Sequence, residues 1–275
     1  NMSTIFQSLK IFSILALTGL VLSGCAGAQP SQTPGKINVV ATTTIVGDVV
    51  RQIGGDFIDL TVLLPTGADP HAFEPRPADI AAIADADLVF ANGAGLETFM
   101  DSMLQNAGGK ALIIEVSEGI SLIQFQGVHE DEERSDEHGE YDPHVWHDPN
   151  NVLIWVENIS RALIQADSDH TQEYQRNAAD YSAKLTQLDL RIKEIVAEIP
   201  VEKRLLVTDH LIFGYFAQQY GFKVIESIIP GFSTLSDPSA QELAALTDQI
   251  RQADIQAIFV GVSVNPALAE QIAQD

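Results

Sequence analysis

The stretch TQEYQRNAADYSAKLTQLDLRIKEIVAEIP, residues 171–200, decides the fold of this chain. Its apolar side chains recur at alternating intervals of four and three residues, at Tyr174, Ala178, Tyr181, Leu185, Leu188, Ile192, Ile195 and Ile199. This spacing predicts one long amphipathic helix over residues 168–200, which Pro200 ends. At about 1.5 Å per residue such a helix is roughly 48 Å long, enough to traverse a whole domain.

Short β-rich runs and helical stretches alternate on both sides of this helix. The predicted strands are 37–43, 60–64, 87–91, 111–116, 204–208, 223–228 and 257–260. The predicted helices are 77–86, 96–106, 151–166, 211–220 and 239–253. Such alternation indicates parallel sheets covered by helices. A coiled-coil dimer could use the same stripe, but we favour a spine within one chain.

The predicted fold class is therefore α/β, with two lobes of parallel sheet flanked by helices and joined by one long rigid helix. We place the N-terminal lobe at residues 37–167, including an acidic loop at 128–142. The linking helix covers 168–200, and the C-terminal lobe covers 201–275.

The first 24 residues differ from the rest of the chain. Lys10 precedes a run of about 12 apolar residues, which suits the central part of a signal peptide. The run ends in Leu-Ser-Gly-Cys, which resembles a lipobox, and Cys25 is the only cysteine in the sequence. We predict a lipoprotein signal peptide at 1–24, lipidation of Cys25 and a flexible tether at 25–36. The protein is then anchored outside the cytoplasmic membrane; a buried cysteine after a leader is the alternative.

Charge and cysteine content narrow the function. The chain carries 38 Asp and Glu against 15 Lys and Arg, a formal net charge of -23. Such a surface repels phosphate backbones, which excludes a nucleic-acid partner, and attracts cations. One cysteine allows neither an intrachain disulfide nor a CxxC pair, so any metal site must use histidine and carboxylate.

Three histidines stand where predicted strands end. His71 lies in GADPHAFEP, residues 67–75, His144 in DPHVWHDP, residues 142–149, and His210 in Thr-Asp-His after the strand at 204–208. Open α/β sheets place ligands at the carboxyl ends of their strands. Neutral imidazoles suit zinc and other borderline transition metals. Together the three predict one metal site shared by the two lobes.

Five motifs in order carry a family resemblance: VATTTIVGD at 40–48, GADPH at 67–71, DPHVW at 142–146, FGYF at 213–216 and VSVNP at 262–266. They resemble the zinc/manganese solute-binding lipoproteins of bacterial ABC transporters (cluster A-I, solute-binding protein family 9). The resemblance implies two α/β lobes bridged by a rigid helix, with metal bound between them by His71, His144 and His210.

The resemblance also implies a cargo and partners. In the manganese-selective branch the third ligand is usually Glu, so His210 resembles the zinc branch. We expect a monomer that captures Zn²⁺ and delivers it to an ABC permease with a cytoplasmic ATPase; Mn²⁺ or Fe²⁺ is the alternative cargo. The family's fourth ligand, an Asp, is expected beyond residue 275, so we expect the C-terminal lobe to be incomplete.

The remaining histidines are weaker candidates. His129 and His138 lie in the acidic stretch 129–140, which is either a solvated insertion or an auxiliary collector of divalent cations. The resemblance favours the second reading, since zinc-binding members often carry such an insertion. We interpret His147 as a non-ligand and His170 as a surface residue.

Two other function classes fit part of the sequence. Three histidines around an open position could activate water in a zinc hydrolase. The sequence has no HExxH motif and no obvious general base paired to a nucleophile, so we expect no enzyme activity. A surface adhesin, using the same fold and lipid anchor, is compatible as a second role.

Overall fold

The computed structural model of the chain describes residues 35–100, 103, 110–124 and 141–274. Its strands are β1 (Ile37–Ala41), β2 (Ile58–Val62), β3 (Leu88–Ala91), β4 (Leu112–Glu115), β5 (Leu205–Thr208) and β6 (Lys223–Ser227). Its helices of seven residues or more are α1 (Thr44–Gly54), α2 (Pro77–Ala84), α3 (Pro149–Ala166), α4 (Thr171–Ala197), α5 (Gly214–Tyr220), α6 (Ala240–Gln252) and α7 (Ala267–Gln274). This order confirms the α/β fold class.

The N-terminal lobe is a four-stranded parallel sheet in the order β2-β1-β3-β4. Both of its faces are covered, so all four residues of β3 are buried. One apolar cluster lies under α1, α3 and α4 and contains Trp155 and Tyr174. A second cluster covers the opposite face and contains Ile83 and Met103. The sheet is therefore a rigid base for the loops that follow its strands.

The C-terminal lobe pairs β5 with β6 in parallel. The predicted strand at 257–260 is wrong, because only an isolated bridge joins Phe259 to Thr208. The pairing of this segment with β5 does not extend beyond Phe259, because the Gly261 N–H donates to a carboxylate oxygen of Asp209 and not to a strand carbonyl. The predicted helix at 211–220 begins only at Gly214, since the Leu211 N–H donates to a neighbouring loop carbonyl.

The long helix is present as α4, 27 residues from Thr171 to Ala197, with a 3₁₀ turn at Ser168–His170 before it. The first half of the predicted apolar stripe packs inside the chain, where Tyr174 and Leu185 are buried in the cluster with α1 and α3. This half of the stripe therefore packs within a single chain.

The second half of the predicted stripe is wrong. Leu188 and Ile195 are each 48% exposed, while Asp189 and Val196 are buried in their place. The reason is geometric: a straight helix has 3.6 residues per turn, so a pattern read at 3.5 drifts by about 20° per heptad. Over this length the buried face moves by one residue toward the C-terminus.

The buried side chain of Asp189 connects α4 to α3 and to α5. Its carboxylate accepts hydrogen bonds from Tyr220 Oη at 3.1 Å, Lys193 Nζ at 2.6 Å, and Gln219 and Asn150 side-chain amides at 3.4 Å each. Tyr220 and Gln219 belong to α5, so the carboxylate joins the long helix to the C-terminal lobe.

We expect Asp189→Ala to lower the free energy of unfolding by about 1–3 kcal/mol, because it leaves the buried Tyr220 hydroxyl without its acceptor. Urea denaturation measures this, with Asp180→Ala as the control on an exposed face of the same helix. Equal midpoints for the two variants would contradict a structural role for Asp189.

Some predicted features fall outside the described residues. These include the leader, Cys25, most of the tether, and the acidic loop with His129 and His138. The predicted helix at 96–106 is only partly described, and Leu96, Glu97, Thr98 and Phe99 are not helical. In the described part of the chain, no helix combines the length and apolarity needed to cross a membrane. The predicted domain limits stay predictions.

Candidate metal centre

Three separate loops carry the predicted ligands. His71 lies in the loop between β2 and α2, His144 directly precedes the 3₁₀ turn that leads into α3, and His210 follows β5. Proline restricts the backbone before His71 and His144, at Pro70 and Pro143. The structure brings all three imidazoles together between the sheets of the two lobes.

The ring nitrogens converge closely. The Nε2 atom of His144 lies 3.2 Å from His71 Nε2 and 3.2 Å from His210 Nε2. Candidate ligand atoms of the three residues all lie within 4.8 Å of one another. Nitrogens about 2.05 Å from a tetrahedral zinc would be roughly 3.3 Å apart, so the two short distances fit such an ion. Within the described ranges, this is the one group of three potential ligands.

His144 is the central and most deeply buried of the three, at 2% exposure. Its Nδ1–H donates to Asp142 Oδ1 at 2.8 Å, so Nε2 carries the lone pair that faces the cluster. Burial, followed by His210, His71 and His147, holds the His144 pKa well below its usual value. Burial also raises the pKa of Asp142 to about 7. The imidazole is therefore neutral and oriented for a metal ion.

His210 is held in the same way from the other lobe. Its Nδ1–H donates to Asp209 Oδ1 at 2.7 Å, and Asp209 Oδ2 accepts the Gly261 N–H at 2.6 Å. Burial acts to raise the Asp209 pKa, but the hydrogen bonds from His210 and from backbone N–H groups outweigh it and leave the pKa lowered. The carboxylate is therefore ionised and keeps the His210 ring in one tautomer.

His71 is positioned through its backbone. Its N–H donates to Asp69 Oδ1 at 2.9 Å, and no carboxylate of the described residues forms an ion pair with its ring. Burial, together with the neighbouring His210, lowers the His71 pKa to about 4. Near neutral pH the ring is thus uncharged and able to bind a metal ion. It is only half-buried, whereas His144 and His210 are buried.

A tyrosine from the C-terminal lobe supports the His144 segment. Tyr215 Oη donates to the Asp142 carbonyl at 2.9 Å and accepts the Ile123 N–H at 3.1 Å. Next to it, Gly214 has no side chain, and an added Cβ would collide with Asp142 Oδ2. Tyr215 and Gly214 belong to the FGYF motif at 213–216, which by itself indicated no role for either residue. The sequence signal for the roles of Asp142 and Asp209 is their spacing: Asp142 lies two residues before His144, and Asp209 lies one residue before His210.

Two other histidines lie outside the cluster. His147 packs 4.6 Å from the Phe213 ring, and burial lowers its pKa to about 4. His170 instead pairs with Asp167, with 2.6 Å between Nδ1 and Oδ2, beside the ring of Phe57. The role of His147 as a non-ligand stays a prediction, and its position is consistent with it. His170, predicted to be a surface residue, is partly buried.

Comparison with known proteins gives the family. Residues 39–275 match the model of ZnuA, the periplasmic component A of a zinc-uptake complex. The chain belongs to the ZnuA family. This membership confirms the predicted resemblance to metal solute-binding lipoproteins.

Individual relatives of this ZnuA-family chain are named for different metals. The manganese ABC transporter substrate-binding lipoprotein PsaA of Streptococcus anginosus is 35% identical, over 98% of this chain and 86% of its own length. The periplasmic zinc-binding protein TroA of Treponema pallidum has a TM-score of 0.78 at 32% identity, covering 87% of this chain and 84% of its own. A manganese-bound periplasmic protein of Candidatus Liberibacter asiaticus has a TM-score of 0.73 at 30% identity, covering 86% and 84%.

Membership in the ZnuA family confirms three predictions made from the sequence. The chain is a metal-binding solute-binding protein and not an enzyme. It works outside the cytoplasmic membrane, consistent with relatives that are named lipoproteins. The family binds a divalent metal, but its members are named for both zinc and manganese.

We expect Asp142→Ala to weaken metal binding by about 10–100-fold, because the His144 ring loses the carboxylate that fixes its tautomer and orientation. Competition titration with a chelator measures the change. Asp167→Ala is the matched control, since it removes the carboxylate of a His–Asp pair remote from the cluster. If both variants bind like the original chain, Asp142 does not orient a ligand.

Proposed function

We propose that this chain captures a divalent transition metal, Zn²⁺ in preference, outside the cytoplasmic membrane and delivers it to a cognate ABC permease with a cytoplasmic ATPase. The observation that carries the proposal is the convergence of three imidazole rings, with His144 Nε2 3.2 Å from Nε2 of each of the other two. His71, His144 and His210 are the proposed ligands.

Zinc is favoured by the donor set. Three imidazole nitrogens, two of them backed by aspartate, match the ligands that zinc prefers, whereas Mn²⁺ prefers carboxylate and water oxygens. Manganese remains the alternative cargo, because PsaA of Streptococcus anginosus is named for it. The Irving–Williams order makes a nitrogen-rich site bind zinc more tightly whichever metal is delivered.

The partners follow from the proposed role. A component that delivers metal needs a permease to receive it, and we propose that lipidation of Cys25 keeps the protein at the membrane that holds this permease. His129 and His138 are proposed as auxiliary capture residues, and the protein is proposed to act as a monomer. No feature of the described residues points to adhesion, so that second role stays a prediction.

The experiment that tests this function is a calorimetric titration of the metal-free protein with ZnCl₂ and, separately, MnCl₂. We expect one Zn²⁺ per chain, tighter binding of Zn²⁺ than of Mn²⁺, and no hydrolysis of nitrophenyl esters or phosphates by the loaded protein. Equal or tighter binding of Mn²⁺ would remove the zinc preference. A protein that bound neither ion would refute the metal site.

Delivery needs a second test. Cells that carry the matching permease and ATPase should accumulate radioactive zinc only when this chain is also present. A matched strain that expresses the His210→Ala variant is the control, because this variant leaves Cys25 and the rest of the sequence unchanged. Equal zinc uptake in the two strains would show that delivery does not require His210 as a ligand.

A further inference from the structure

The carboxylate of Asp69, beside the candidate metal centre, accepts two hydrogen bonds. Asp69 Oδ1 accepts the N–H of His71 at 2.9 Å, while Asp69 Oδ2 accepts the hydroxyl of Thr234 at 2.5 Å. Asp69 and His71 belong to the loop after β2 of the N-terminal lobe, and Thr234 follows β6 of the C-terminal lobe. This side-chain hydrogen bond therefore ties a ligand-bearing loop of one lobe to the other lobe.

The Thr234 segment is fixed next to His210. Ile229 N–H donates to the Asp209 carbonyl at 2.6 Å, and Leu211 N–H donates to the Gly231 carbonyl at 2.9 Å. These two bonds lie on either side of His210 in the sequence. The link from His71 through Asp69 and Thr234 thus ends on the segment that holds the ligand of the opposite lobe.

His71 is the half-buried ligand of the three, so it lies at the accessible side of the cluster. A metal ion can leave most easily when His71 moves away from His144 and His210. We propose that Asp69 and Thr234 form an interlobe latch, a pair of positioning residues that holds the His71 loop closed and slows metal release. The inference rests on the metal-binding function proposed above.

The surroundings of the pair allow it to open. Asp69 and Thr234 line a pocket of about 260 Å³, which Ser263 and Asn265 also line. This volume has room for several water molecules. When the hydrogen bond breaks, water can solvate the Asp69 carboxylate, so opening leaves no buried charge without a partner. The latch can therefore break reversibly without unfolding either lobe.

The test is the rate at which Zn²⁺ leaves the protein, followed by stopped flow after mixing with an excess of a fluorescent chelator. Thr234→Val keeps the shape of the side chain and removes the donor. We expect it to accelerate release about tenfold, as for the loss of a hydrogen bond to a charged group. Thr234→Ser restores the hydroxyl and should release Zn²⁺ at nearly the original rate.

The matched control is Thr247→Val, which removes a hydroxyl that bonds within α6, away from the cluster. Its release rate should not change. Asp69→Ala tests the latch from the other lobe: release should accelerate, and adding Thr234→Val should produce no further acceleration. Because Asp69→Ala also removes the acceptor of the His71 N–H, Thr234→Ala replaces Thr234→Val in both the single and the double variant if Thr234→Val folds poorly.

The possible outcomes are distinct. The latch is overturned if Thr234→Val releases Zn²⁺ at the original rate, or if Thr234→Ser releases it as fast as Thr234→Val. It is also overturned if the effects of Asp69→Ala and Thr234→Val are additive. None of these results contradicts the metal site itself. An unaltered chain that binds no Zn²⁺ would instead overturn the proposed function itself.

Discussion

Replacing His144 with alanine is expected to lower the affinity for Zn²⁺ by at least about a thousandfold, since the proposed three-nitrogen site would lose its central ligand. His144 Nε2 is the atom within 3.2 Å of both other ring nitrogens. The substitution also leaves the carboxylate of Asp142, fully buried, without its imidazole donor. Competition against a chelator of known zinc affinity measures the loss. His71→Ala and His210→Ala should act in the same direction.

His170→Ala is the control for this series. It removes an imidazole that is also paired with an aspartate, Asp167, but packs against Phe57 at the start of the long helix. We expect it to bind Zn²⁺ like the unaltered chain. Circular dichroism should show the same helix content in both variants. A His144→Ala protein that is folded and still binds Zn²⁺ normally would refute the proposed ligand set.

The alternating pattern of the sequence predicted the N-terminal sheet, and the family resemblance implied that the three histidines converge between the lobes. Strands of a parallel sheet need crossover helices, so the alternation of apolar runs and helical stretches is visible in the sequence. The carboxyl ends of the strands in one sheet share an edge, and ligand-bearing loops are expected there. His71 and His210 could be located in this way, because each follows a strand that the pattern identifies clearly.

Other features depend on tertiary geometry that a linear pattern does not contain. Asp189 is buried because a straight helix drifts away from the heptad by which its stripe was read. The segment around Phe259 has a strand-like composition, yet it forms only one bridge because Asp209 captures the next N–H group. Nothing in the sequence indicated a role for Thr234, because its hydrogen-bond partner, Asp69, lies 165 residues away in the chain.

The core of the N-terminal lobe yields the largest expected change in stability. Trp155 lies on α3, is fully buried and belongs to the apolar cluster beneath α1 and α4. Its Nε1–H donates to Ser117 Oγ at 3.1 Å, in the segment that follows β4. Trp155→Ala removes this contact and leaves a large cavity. We expect it to lower the free energy of unfolding by about 3–5 kcal/mol.

Trp155→Phe separates the two contributions, because it keeps most of the ring volume and removes only the indole donor. We expect a loss of about 1–2 kcal/mol for this variant, measured with Trp155→Ala by urea denaturation of the metal-free protein. Saturating Zn²⁺ should then raise the midpoint of both, because an ion that binds only the folded state stabilises it by mass action. His144 lies on the segment that leads into α3. If Trp155→Ala did not lower the free energy of unfolding, the packing of α3 against the core would not be what positions His144.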